Sequence, residues 1–555
     1  MTKFIFITGG VYSGIGKGVT TASITKLFQF RGYKVSIVKI DPYLNIDPGT
    51  LNPTEHGECF VTEDVWDYKP VETMNQVFRI AEIDQDFGTY ERFIGKNIHP
   101  SHNITSGQVY VDVILKERHG EFLGKTVQLI PHVTDVIKNR LRKIAKDENL
   151  DVLLIECGGT VGDLEGMVFL EAFRQMRLEL EGETCLVHVT MVPFNETVGE
   201  LKTKPTQHSV RQLMAAGLQP DIIVCRSSIY LDEGSRKKIS LFCNVPPFRV
   251  ISNPDVNSVY EIPLIFEKQM LGDTICNLLK LQPKLVEFSP IENYSEWKKL
   301  VDKFKCVFKD EISIAMPGKY TKIKDSYVSI NEALKHAAVA NNVSVNITWL
   351  DTENEDNLKQ LASFDGILLT PGFGNRGVEG MISAADIAIT KKIPYLGICF
   401  GSQLMFIALC RRYLNLKDAN STEMNPDTTN PVVSKMDEQK SIEMLGGTMR
   451  LGAYDVYVKP ETRVFQAYQQ EIIKERFRHR FHIVNAYAKQ CEQFGLIVSS
   501  TDKTGEIINS IELNAPDHFC VGVQFHPEFK SRPWAPAPLY DAFIKACKEY
   551  KKLNK

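Results

Sequence analysis

Short apolar runs rich in β-branched residues recur along the chain, each followed by a stretch with helical spacing. This alternation is the pattern of α/β domains built on parallel sheets. It is visible at Phe4–Ile7, Val35–Val38, Val152–Ile155 and Ile222–Val224, and again at Ile312–Ile314, Gly366–Leu369 and Tyr395–Ile398. A chain of 555 residues exceeds what one hydrophobic core usually holds, so two or more such domains are expected. Between about Leu281 and Lys309 the apolar runs stop, and a Lys/Glu-rich helical stretch with Pro283 and Pro290 intervenes. The expected division is a first domain over 1–280, a linker over 281–309 and a second domain over 310–555.

Composition removes several classes of function. A net charge of -3 leaves no overall electrostatic footprint for nucleic acid or an anionic membrane, so any anionic ligand needs a local basic cluster. No apolar run approaches the ~20 residues of a membrane helix, and Met1–Phe6 leads straight into a strand, so no signal peptide is expected. The 12 cysteines are scattered singly without a C-x-x-C pair, which argues against a zinc site or a disulfide framework. A reducing cytoplasm is the expected setting.

After the first strand comes Gly9-Gly10-Val11-Tyr12-Ser13-Gly14-Ile15-Gly16-Lys17-Gly18, opening a helix. Glycines let backbone N–H groups approach phosphate oxygens, the helix N-terminus adds its dipole, and Lys17 can reach the outer phosphates. The spacing departs from the usual Walker loop, and Gly18 stands where Ser or Thr would bind magnesium. Carboxylates elsewhere must then hold the metal. Glu156 follows a buried strand and precedes a glycine-rich turn, which is where such sites sit in open α/β sheets. Asp84-Gln85-Asp86 is the second candidate, with both carboxylates on one face if the segment is extended.

A different chemistry appears at Gly397-Ile398-Cys399-Phe400-Gly401, where an apolar strand runs into a helix. Small flanking residues allow the strained turn that exposes a nucleophile, and a helix N-terminus favours thiolate. Downstream, His526 at a strand end with Glu528 two residues later supplies a base and its orienting acid. A lone buried cysteine or histidine is more often structural; the elbow together with His-x-Glu is the specific signal.

These motifs sit within longer strings. Lys39–Thr50, Glu55–Glu58, Glu156–Glu165 and Gly199–Gln207 resemble the synthetase domain of CTP synthases, and the Cys399 and His526 strings resemble class I glutamine amidotransferases. The resemblance implies an N-terminal P-loop, dethiobiotin synthetase-like parallel-sheet domain and a C-terminal amidotransferase α/β domain. It implies ATP-dependent amination of UTP to CTP, with ammonia from glutamine channelled to a 4-phosphoryl-UTP intermediate. Carried over residue by residue, ATP is held by Ser13, Gly14, Ile15, Gly16, Lys17, Gly18, Lys39 and Asp86, and magnesium by Asp86 and Glu156. UTP and feedback-inhibiting CTP fall to Ser13, Asp163, Leu164, Glu165, Lys202, Lys204, Gln207 and Lys238. Glutamine falls to Gly372, Phe400, Gln403, Glu423 and Arg480, with Cys399, His526 and Glu528 catalytic. Pro53, His56 and Cys59 are implied to line the ammonia path, and Arg376, Gly377 and Glu379 to associate with the activator GTP. A cytoplasmic homotetramer capable of forming filaments is also implied.

Three departures stand out. The family usually reads Pro-Gly-Gly-Phe-Gly where this chain has Thr370-Pro371-Gly372-Phe373-Gly374, so a proline without an N–H replaces a glycine in the expected oxyanion loop. The donors are therefore assigned to the N–H groups of Gly372 and Phe400. The family's Arg-His-Arg-His-Arg string is Arg476-Phe477-Arg478-His479-Arg480, one histidine short. About 15 extra residues lie within Val65–Ile83, where a helical stretch over Val71–Ile83 is expected. Two other readings compete: a corrinoid amidase-type synthase, which the Lys202–Gln207 string disfavours, and a nucleotide-binding or filament-forming protein without turnover.

Overall fold

The computed structural model describes residues 1–71, 77–282, 284, 289–318, 324–372, 376–436 and 446–554. Its contacts group the chain into two units. One comprises Met1–Pro48, Trp66–Phe78 and Asp86–Lys305; the other comprises Gly49–Val65, Arg79–Gln85 and Cys306–Lys555.

The first unit is built on a seven-stranded sheet, ordered Val250–Pro254, Ile222–Ser227, Thr184–Met191, Lys3–Gly9, Val152–Cys157, Val35–Asp41 and Asn103–Thr105. All its pairings are parallel. Every residue of Val35–Asp41 and Val152–Cys157 is buried, as expected for strands covered on both faces. Register places Lys39 level with Glu156 and Ile7 level with Glu156. The carboxyl ends of the three central strands thus converge on one crevice, where open α/β sheets bind ligands.

The second unit carries a nine-stranded sheet. Five strands are parallel, in the order Ser344–Asp351, Glu311–Gly318, Gly366–Leu369, Tyr395–Ile398 and Cys520–Val523. Four antiparallel strands follow, ending at Arg450–Val458 and Ile472–His479. Separate apolar clusters form around Leu369, Phe400 and Leu404, and around Ile398, Val523 and Phe525. Ile398 is level with Val523, so Cys399 and the run Gln524–His526 emerge at the same sheet end.

Two expectations are corrected. The stretch expected to be helical up to Ile83 contains the strand Phe78–Ile83, paired with Phe60–Tyr68; residues 72–76 lie outside the described residues. Ile80, Ala81, Glu82 and Ile83 are all buried there, and β-branched residues suit a covered strand better than a solvated helix. Asp86 is not part of an extended segment but opens the helix Asp86–Ile94, so the alternation argument for Asp84 lapses. The 281–309 stretch contains the helix Tyr294–Phe304, whose Trp297 is buried, donates 3.0 Å to the Tyr260 carbonyl and carries Lys26 Nζ 4.4 Å above its ring.

Candidate active sites

In the first unit the glycine loop joins the strand Lys3–Gly9 to the helix Lys17–Gln29, whose N-terminal dipole faces the loop. Gly14 and Gly16 take φ of 78° and 91°, while Ser13 is exposed and Ile15 buried. Lys17 is buried and donates 2.8 Å to the Gly159 carbonyl; burial lowers its pKa, with Glu156 opposing. Below the loop, Thr8 Oγ1 lies 2.9 Å from His188 Nδ1, and His188 Nε2 lies 2.7 Å from Ser209 Oγ. Burial, with Lys17 adding, pushes His188 down to about 3, so the ring is a neutral support.

The missing hydroxyl at residue 18 has a physical explanation. A Cβ on Gly18 would fall 2.5 Å from Asp86 Oδ1, so the carboxylate fills the space of any side chain there. Lys39 bonds Asp86 and lies 3.4 Å from Glu156 Oε1, while the Tyr90 hydroxyl donates to Glu156 Oε2. Glu156 Oε1 is buried without a hydrogen bond, and burial raises its pKa against the pull of Lys39. Two carboxylates of this kind, completed by phosphate oxygens and waters, fit magnesium. Among the described residues no cluster of three or more His, Cys, Asp or Glu is arranged for a metal, so an all-protein cage is not formed there.

Lys202 bonds Glu200, whose pKa is held down first by that lysine and further by Lys238, which places both cations near one carboxylate. Lys204 is exposed, its Nζ 5.5 Å from the Phe242 ring. Gln207 is buried; its Nε2 donates 3.0 Å to Thr203 Oγ1, and its Oε1 has no hydrogen bond. Asp163 caps its own turn, accepting 3.0 Å from Thr160 N, beside exposed Leu164 and Glu165. Tyr90 and Arg226 belong to no sequence motif. The latter's Nε would lie 3.5 Å from a Cβ on Gly16, and a lone arginine at a strand end carries no pattern that reveals this.

In the second unit Cys399 adopts φ 52° and ψ -102°, the strained elbow conformation, immediately before the helix Phe400–Tyr413. Gly401 makes this turn possible, since a Cβ there would fall 2.4 Å from the Leu369 carbonyl oxygen. The thiol lies 3.7 Å from the Arg478 carbonyl and accepts from Gln524 Nε2 at 3.3 Å. His526 Nδ1 is 2.7 Å from Glu528 Oε1, and its ring stacks on Phe529 with centroids 5.2 Å apart. Burial opposes charge on the ring, but Glu528 and then Cys399 outweigh it and raise His526 to about 10. His526 Nε2 is buried and makes no hydrogen bond of its own.

A cavity of about 300 Å³ contains this group, with Cys59, Pro371, Gly372, Cys399, Arg478 and His526 in its wall. A Cβ on Gly372 would lie 3.9 Å from the Phe400 ring. Gln403 donates 3.0 Å to the Phe481 carbonyl and 3.0 Å to Gln524 Oε1, leaving its own Oε1 buried without a hydrogen bond. Arg480 donates 2.9 Å to Thr448 Oγ1, and Glu423 N donates 3.2 Å to Ser421 Oγ. His56 is exposed, and the side chain of Pro53 lies outside the described residues. Arg376 pairs with Glu353 at 3.0 Å and Glu379 with Arg411 at 2.6 Å, while Gly377 (φ 66°) packs where a Cβ would meet Thr352 Oγ1 at 2.7 Å.

Comparison with known proteins identifies the family of each half of the chain. Residues 3–281 match the family model described as CTP synthase N-terminus. The chain belongs to the CTP synthase family. Residues 322–546 match the model described as glutamine amidotransferase class-I. The chain is 49% identical over 555 residues to a CTP synthase of Pyrococcus abyssi, covering 99% of each chain. It is 47% identical over 560 residues to a CTP synthase of Symbiobacterium thermophilum, again covering 99% of each. A solved glutaminase domain of a Trypanosoma brucei CTPS with bound acivicin is 36% identical, with a TM-score of 0.41, covering 43% of this chain and 94% of that one.

Proposed function

We propose that this chain aminates UTP to CTP, using ATP to activate O4 and glutamine as the source of ammonia. The observation that carries the reading is the Cys399–His526–Glu528 group, which shares its cavity wall with Cys59.

In the amidotransferase step the Cys399 thiol gives its proton to His526, and the thiolate attacks the amide carbon of glutamine, whose carbonyl oxygen takes the negative charge between the N–H groups of Gly372 and Phe400. The C–N bond then breaks and leaves a thioester on Cys399. His526 delivers the proton that lets the nitrogen depart as ammonia; a ring that keeps its proton through neutral pH suits that task. Water hydrolyses the thioester to glutamate. Gln403 Oε1 and the Glu423 carboxylate suit the substrate ammonium, and Arg480 its carboxylate.

In the synthetase step the γ-phosphoryl group of ATP passes to O4 of UTP, and ammonia then displaces phosphate at C4. Lys17 and Lys39 hold the transferring oxygens. Asp86 and Glu156 would hold magnesium, which would supply neutralisation of phosphate charge there. Lys202, Lys204, Lys238 and Gln207 suit a nucleoside triphosphate, with Asp163, Leu164 and Glu165 shared between UTP and feedback-inhibiting CTP. On the same reading GTP activates by exchanging for the ion pairs of Arg376 and Glu379, and the working form is a cytoplasmic homotetramer.

The test is CTP formation by the purified protein from UTP and ATP with magnesium and either glutamine or ammonia. Cys399→Ala should abolish the glutamine-driven reaction and spare the ammonia-driven one. Absence of CTP from both nitrogen sources would contradict the proposal.

A further inference from the structure

The Glu82 carboxylate is buried inside the second unit, within the segment Val65–Ile83 that holds the extra residues. Its side chain is 1% exposed, and Oε1 accepts 2.7 Å from Arg478 Nε. Cys59 Sγ lies 3.9 Å from the same oxygen, and Oε2 is buried without a hydrogen bond. Arg478 also donates 3.2 Å to the Gly49 carbonyl, its own carbonyl lies against the Cys399 thiol, and its side chain lines the cavity beside Cys59.

We propose that Glu82 is a positioning residue for nitrogen transfer: by holding Arg478 it fixes the stretch of cavity wall that runs from Cys399 to Cys59. The inference rests on the reading of the chain as a glutamine-dependent amidating enzyme. A guanidinium carries its charge on a flexible stem, and one carboxylate contact at Nε sets the direction of the whole fork. Deprived of that contact, Arg478 turns toward other acceptors, and the wall opens or closes at that point. Glu58, His526 and Glu528 share the wall of that cavity with Arg478, and Arg480 lies two residues further along the chain. Because the wall belongs to the path of released ammonia, its disturbance should cost transfer rather than either reaction.

The experiment measures, in the full-length enzyme, glutamate formed, CTP formed with glutamine and CTP formed with ammonia. Glu82→Gln keeps the size of the side chain and removes its charge. The expected result is a fall of about threefold or more in CTP per glutamate, with glutamine hydrolysis and ammonia-driven CTP each within about twofold of the parent. Added ammonia should restore CTP formation, and Glu82→Asp should recover most of the ratio. Should Glu82→Gln fail to fold, the double variant Glu82→Gln/Arg478→Gln removes both buried charges and is read in the same way. An unchanged ratio, or a parallel fall of all three rates, would overturn the proposal. Failure of the parent enzyme to make any CTP would instead overturn the function on which it rests.

Discussion

The Asp86 carboxylate lies where a side chain on residue 18 would have to stand, 2.5 Å from a Cβ built on Gly18. The phosphate loop therefore lacks its hydroxyl because an acid from another helix takes the space. Gly18→Ser, which restores the ordinary loop residue, should displace Asp86 and lower CTP formation about tenfold or more with either nitrogen source. Glutamine hydrolysis measured without nucleotides should stay within about twofold. Steady-state rates with glutamine and with ammonia check this.

Pro371 stands where the family usually has glycine, and the oxyanion donors proposed here are the N–H groups of Gly372 and Phe400, not that of residue 371. Pro371→Gly should therefore leave kcat for glutamine hydrolysis within about threefold, whereas loss of a true oxyanion donor costs ~10²-fold or more. Glutaminase assays on the variant decide between them.

His526 is lifted from 6.5 to about 10, chiefly by Glu528 working against burial. A folded-state pKa above the unfolded one stabilises fully below about pH 6.5 and loses that contribution as pH rises through about 10. The glutaminase rate should follow the same proton, with an alkaline limb near pH 10. Glu528→Gln should move that limb down by about a unit or more. A pH–rate profile of kcat/KM for both proteins checks it, and unfolding midpoints at several pH values check the stability arm.

Much of this was legible in the residues. The apolar runs at Val152–Ile155 and Tyr395–Ile398 were read as strands because strands buried on both faces need no alternation. The Cys399 elbow is legible because its glycines sit at fixed offsets, whereas the level pairing of Ile398 with Val523 is a long-range register that no local spacing carries. The segment before Asp84 is hard to read from sequence, because Arg79 and Glu82 interrupt its apolar run and pairing with Phe60–Tyr68 decides its form. Glu82 is silent in the sequence for a related reason: its partner is far along the chain, and no local spacing announces a buried ion pair. Breaking such a pair from one side typically costs ~3–5 kcal/mol, so Glu82→Gln should also lower the unfolding midpoint. Denaturant titration measures that loss directly.

In the proposed reaction, nitrogen freed at Cys399 becomes the 4-amino group of CTP. The direct measurement supplies glutamine with heavy nitrogen in its side-chain amide, together with unlabelled ammonia in the solution, and reads the isotope in CTP. The account predicts CTP carrying mostly the heavy isotope in the parent enzyme and only the ordinary isotope in Cys399→Ala. Product that draws its nitrogen from the solution alike in both proteins would contradict it.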